Sequence, residues 1–134
     1  MSYERLTVTR TALDAVSANN TVSNTYDVSD YKNISVGIAA SGTVDLTVTI
    51  YGSVLTPAEL TTSSAASVSN MYAPIGFWNL DSGAFVAGTT GVVLTTTAVQ
   101  NLLVNVDNIR SVFLKVTART NGTVTARICY SNNQ

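Results

Sequence analysis

The chain has 134 residues, one domain's worth, with a formal net charge of -1, 46% hydrophobic residues and 11% charged residues. About a quarter charged is usual for a globular protein; here Ser, Thr and Asn take the place of Lys and Glu, while the Val, Ile and Leu content excludes disorder. The nearly balanced charge gives no electrostatic basis for binding nucleic acid or an anionic membrane.

The opening stretch "MSYERLTVTR" carries Glu4, Arg5 and Arg10 where a secretion signal needs an apolar run, so synthesis and folding in a cytoplasm are expected. Leu6 and Val8 alternate with Thr7 and Thr9, the pattern of a strand. Residues 1–20 are therefore expected to form an N-terminal arm or edge strand of a single domain spanning 1–134. Val22, Tyr26 and Val28 suggest a second, less regular strand. Asp27 and Asp30 in "YDVSDYKN" are too sparse for a calcium loop. They predict instead a turn in which Asp30 caps the chain before Tyr31.

Ile34, Val36 and Ile38 form a third strand. In "GTVDLTVTIYGS", Val44, Leu46, Val48 and Ile50 point one way and Asp45, Thr47, Thr49 and Tyr51 the other. The spacing predicts a hairpin between these two strands, turning at Ala40-Ser41-Gly42. Further on, Thr56 as N-cap, Pro57 at the first helical position and Glu59 at the capping-box position predict one helical turn.

From Leu60 to Val106 the only charged residue is Asp81. Gly83, Gly88, Gly91, Gln100 and Asn101 interrupt this stretch, which excludes a membrane span. It reads either as buried strands joined by uncharged loops or as a surface that meets another protein, since interface cores are depleted in charge. Short strands are expected at Phe77 to Leu80 and near Phe85.

Leu102, Val104 and Val106 alternate up to a turn at Asp107-Asn108. Val112, Leu114, Val116 and Ala118 make the next strand, and Asn121-Gly122 predicts a type I′ hairpin. Val124, Ala126, Ile128 and Tyr130 then form the closing strand. The pattern predicts an all-β antiparallel β-sandwich, jelly-roll-like, of about eight strands with at most one short helical turn; a small closed barrel is the second reading.

Parts for chemistry are scarce. The sequence has no histidine, which removes the commonest general base and most zinc sites. Cys129 is the sole cysteine, so it has no internal disulfide partner, and its alternation reads as an ordinary strand position. The acids are scattered singly, and the glycines form no phosphate loop. No catalytic, metal or cofactor residue is nominated, and the protein is not expected to be an enzyme. The aromatics remain, in the uncharged segment. Tyr72, Phe77 and Trp78 read either as core plugs or as anchors for a protein partner; a sugar-stacking platform is the third reading.

The succession "YKNISVGI", "GTVDLTVTIYGS", "FWNL", "NIRSVFLKVTA" and "NGTVTARI", from Asp27 to Ile128, resembles the small β-sandwich virion proteins of tailed bacteriophages. Capsid decoration, or cement, proteins are the nearest group. The resemblance implies no enzyme activity and no cofactor. It implies a homo-oligomer, often a trimer, fixed to the capsid surface by contact with the major capsid protein or another virion protein. Similar sandwiches serve as receptor- or carbohydrate-binding modules of a phage tail, baseplate or head fibre. A threonine-rich face favours strands and is cheap to desolvate, which suits packing against identical neighbours or a shell. Alternatively, threonine simply fills exposed strand positions.

Overall fold

A computed structural model describes residues 7–62 and 71–131. Two strands of 21 residues dominate it: β3, Asn33–Ser53, and β9, Ser111–Ser131. They pair antiparallel along most of their length, from Ser35 opposite Cys129 to Ser53 opposite Ser111. Neither predicted hairpin forms. The segments read as third and fourth strands are two halves of β3, and the chain passes through Asn121-Gly122 without reversing.

The breaks in the pattern are bends. Gly42 and Gly122 take φ of 85° and 99°, and register shifts interrupt the ladder between Ser41 and Leu46. A Cβ on Gly122 would sit 3.1 Å from the Thr43 carbonyl oxygen and 3.2 Å from the Val44 Cα. Glycine is needed there for its backbone conformation and for close approach of the two strands. Beside the bend, the hydroxyls of Ser41 and Thr123 share a hydrogen bond of 2.5 Å.

Bending the ribbon at its middle produces two layers. In the larger, the order is β1 (Thr7–Val16), the second half of β9, the first half of β3, β8 (Gln100–Asn105), β5 (Phe77–Asn79) and β6 (Ala84–Val86). In the smaller, the first half of β9 pairs with β2 (Tyr26–Asp27). The second half of β3 pairs with β7 (Val92–Leu94) and β4 (Tyr72–Pro74). β1, Thr7–Val16, forms one edge of the larger layer; residues 1–6 of the arm or edge strand expected over residues 1–20 lie outside the described residues.

One face of the ribbon lines the core throughout. Ile34, Val36, Ile38 and Ala40 from the first half of β3 join Val44, Leu46, Val48 and Ile50 from the second in a single cluster. Val112, Leu114, Val116, Val124, Ala126 and Ile128 of β9 face them. Each such buried Val, Leu or Ile contributes roughly 1.5–3 kcal/mol over its exposed state. The fold is thus an all-β antiparallel sandwich with one short helix among the described residues, α1 (Pro57–Thr62).

The helix starts as its sequence predicts. Thr56 N–H donates to Glu59 Oε1 at 3.0 Å, and Glu59 N–H returns a bond to Thr56 Oγ1 at 3.3 Å. The Asp27-Asp30 turn is capped from its other end. Asp27 Oδ1 accepts from both Ser29 N–H, at 2.9 Å, and the Ser29 hydroxyl, at 2.5 Å. These bonds hold the Asp27 carboxyl below its usual range. Asp27 has a hydroxyl and amide two residues on, the geometry of an Asx-turn, so it, rather than Asp30, organises the turn.

Candidate functional site

The structure separates the three candidate anchors. Phe77 is 2% exposed and belongs to the core. As an anchor it is corrected: on β5 it alternates with Trp78, so burying one ring turns the other to solvent. Tyr72 lies in the smaller layer, edge-on to Tyr51 (centroids 5.3 Å apart) and to Phe113 (5.0 Å), which stack on each other at 5.1 Å. Trp78 stands on the outside of the larger layer.

The outer surface at Trp78 is built by cross-strand register. Phe85, Trp78, Leu103, Ser35, Cys129 and Thr9 are successive partners on β6, β5, β8, β3, β9 and β1. Opposite partners share a face, so this row crosses all six strands without a charge. A second row, Asn101, Gly37, Arg127 and Thr11, runs beside it and carries one cation. Leu80 extends that row, its N–H bonded to the Asn101 carbonyl at 2.8 Å.

At the β6 end the surface becomes apolar. Trp78 is 48% exposed, Leu80 56% and Phe85 55%. The Phe85 ring meets Trp78 at 5.2 Å with a 64° interplanar angle. It lies directly over Gly76, where an added Cβ would come within 2.4 Å of the Phe85 ring. Beside the rings is a fixed polar group. Asp81 Oδ2 accepts from Asn101 N–H at 3.0 Å, and Asn79 Oδ1 accepts from Asp81 N–H at 2.9 Å. The sequence holds Asp81 and Trp78 only three residues apart, but gives no sign that β8 supplies Asn101 to orient the carboxylate.

A second apolar surface lies at the end of the smaller layer. Gly52, Ser53, Val54, Met71, Tyr72, Ala73 and Ile109 line a shallow groove, with Val54 65% exposed. Ser53 ties its two sides, donating to the Met71 carbonyl at 2.6 Å. A second concavity opens between the layers at the β1 and β2 edge, where the Tyr26 hydroxyl donates to the Thr11 carbonyl at 3.3 Å beside Arg10. Partial burial, with the nearby Tyr130 phenol, raises the Tyr26 pKa against the influence of Arg10.

The threonine face is partly covered by its own chain. Thr49 is buried and shares a 2.9 Å hydroxyl hydrogen bond with Thr117. Gly91, just before β7, packs so closely that an added Cβ would lie 3.0 Å from Thr47 Cγ2 and 3.2 Å from Thr49 Oγ1. Threonine there provides a hydroxyl that finds its partner inside the fold, where a lysine would bring a charge that must be desolvated. Asp45 and Thr43 remain exposed.

No protein-family model and no curated protein matches the sequence. Several solved structures share the fold, among them the following two. The SPBc2 prophage-derived protein YomS matches with a TM-score of 0.67 and 14% identity, over 98% of this chain and 97% of that one. The PBSX exported protein XepA matches with a TM-score of 0.67 and 12% identity, over 98% of this chain and 39% of that one. At these identities the likeness is one of fold.

Proposed function

We propose that this protein is a bacteriophage structural protein without enzyme activity, and specifically a decoration protein on the outer surface of the assembled head. It binds the major capsid protein, or another virion protein beside it, and acts as a homo-oligomer, a trimer in the simplest arrangement. The observation that carries the reading is the placement of exposed apolar side chains. The core is closed, yet in the groove at the end of the smaller layer Val54 stays 65% exposed and Met71 47% exposed on uncharged surroundings. Such patches mark contact surfaces. The prophage names of both similar structures agree with a phage origin.

The groove of Val54, Met71 and Tyr72 is the surface assigned to the capsid. Its side chains are mostly apolar and the Ser53 hydroxyl is already bonded, so covering it leaves few groups unsatisfied. A protein that binds only the assembled shell stabilises that shell by mass action. The test is co-sedimentation with emptied capsids of the parent phage. Wild-type protein pellets with the shells and raises their disruption temperature, with little dependence on salt. Val54→Asp and Met71→Asp, exposed positions that leave the core intact, weaken this more than tenfold. Wild-type protein that stays in the supernatant contradicts the proposal.

A further inference from the structure

The geometry points to a binding site for neutral glycans on the outer face of the larger layer, formed by Trp78, Phe85 and Leu80 with Asp81 as its hydrogen-bond acceptor. This site is separate from the groove assigned to the capsid, and the inference holds wherever in a phage particle the protein sits.

A pyranose ring has two chemically different parts: a face of C–H groups and a rim of hydroxyls. The first is matched by an aromatic ring that is open to solvent and held in place by a neighbour. Trp78 is such a ring, half exposed on a rigid sheet, its orientation supported edge-on by Phe85, which in turn rests on Gly76. Electron density on an aromatic face attracts the positive edges of C–H groups. The second part needs a fixed acceptor close by. Asp81 is the only charged side chain from Leu60 to Val106, and it sits beside the only tryptophan. Asn101 is the diagonal cross-strand neighbour of Trp78, a separation of about 7–8 Å between such positions, and it orients the Asp81 carboxylate through its N–H. Asn101 also donates its side-chain amide to Asp81 Oδ1 at 3.5 Å; each carboxylate oxygen has more than one acceptor direction, so sugar hydroxyls still have acceptor sites after both Asn101 bonds are made.

The same acceptor decides against two other occupants. A flat apolar protein surface laid over Trp78 would desolvate Asp81 while supplying no donor for the acceptor directions that Asn101 leaves open, which is costly. An acidic sugar would meet the carboxylate as a like charge. A neutral glycan supplies both the C–H face and the donors. Carboxylate–hydroxyl bonds are among the stronger hydrogen bonds, so Asp81 carries much of the affinity.

The single tryptophan makes the test direct. The intact protein is screened on an array of neutral glycans, and the best binder is titrated as a soluble oligosaccharide while Trp78 fluorescence is followed. A saturable change is expected, weakened at least tenfold by Asp81→Ala and by Phe85→Ala. Trp78→Ala, read on the array, abolishes binding. Circular dichroism confirms that each variant folds, and Tyr72→Phe, in the other layer, leaves binding unchanged. The inference is overturned if no neutral glycan binds, or if binding is indifferent to Asp81 and Trp78. It is equally overturned if Trp78→Ala dissociates an oligomer while wild-type protein binds no sugar, because the surface would then belong to a second copy. Capsid co-sedimentation measured alongside reports on the other surface alone.

Discussion

Replacing Gly122 with alanine tests how the long ribbon bends. At φ of 99° an L-residue is strained, and left-handed backbone costs such residues roughly 1–2 kcal/mol. The new Cβ would also press on the Thr43 oxygen at 3.1 Å and the Val44 Cα at 3.2 Å. Both are backbone atoms within a paired strand and cannot rotate aside, which adds about 1 kcal/mol of overpacking. The expected loss is therefore about 2–3 kcal/mol. For a domain of this size that lowers Tm by about 8–12 °C. The control is Gly37→Ala in the same strand pair, where an added Cβ meets nothing within 4 Å and φ is not positive. There the change is expected to be neutral, or stabilising by up to about 1 kcal/mol through the unfolded state. Calorimetry and denaturant titration of the three proteins decide. Equal stability of Gly122→Ala and wild type, or an equal loss at Gly37, refutes the bend as described.

Three further outcomes are expected. Phe77→Ala removes a core ring and costs about 3–5 kcal/mol, whereas Trp78→Ala, its half-exposed neighbour, costs under about 1 kcal/mol; similar losses in chemical denaturation would deny the alternation of the two rings. Ser41→Cys with Thr123→Cys, in a Cys129→Ser background, forms a cross-link on mild oxidation, seen as an intramolecular disulfide by mass spectrometry, because these side chains meet across β3 and β9. Stability falls on acidification below about pH 4, as the linkage sign requires. Ser29 bonds hold the Asp27 carboxyl low and Thr56 bonds hold that of Glu59 low, so their contributions are complete above the usual carboxylate range and disappear as pH falls through the lowered values. Ser29→Ala combined with Thr56→Ala flattens that decline in Tm; an unchanged slope counts against it.

Much of the local structure was legible in the residues. Period-two alternation marked the core faces of β3, β8 and β9, and the Thr56 to Glu59 capping box formed as its spacing requires. Asn108 takes positive φ at the predicted turn. The hairpins were misread because glycine with positive φ serves a reversal and a bend equally well. One signal separates the two at Asn121-Gly122. A two-residue hairpin pairs positions whose numbers sum to an odd value, so inward residues would switch parity across it. Val112, Leu114 and Val116 share parity with Val124, Ala126 and Ile128, and all six are buried. The parity holds because the chain continues.

The candidate sites were legible in kind and not in placement. Exposed aromatics within an uncharged segment were identifiable, but Phe77 and Trp78 are adjacent, and only the sheet decides which ring faces inward. Three-residue strands such as β4 and β7 are too short to show alternation, so the groove beside Tyr72 and the cover over Thr49 left no local trace. Asn101 reaches Asp81 through pairing between β8 and the turn after β5, a contact between segments twenty residues apart.

The central claim is that the molecule works by contact, as a covering component of a phage head. Quantitative mass spectrometry of purified particles of the parent phage tests it most directly. The account predicts this chain in fixed, high proportion to the major capsid protein, retained in particles stripped of tails. Its absence from particles, or a handful of copies lost together with the tails, would contradict it.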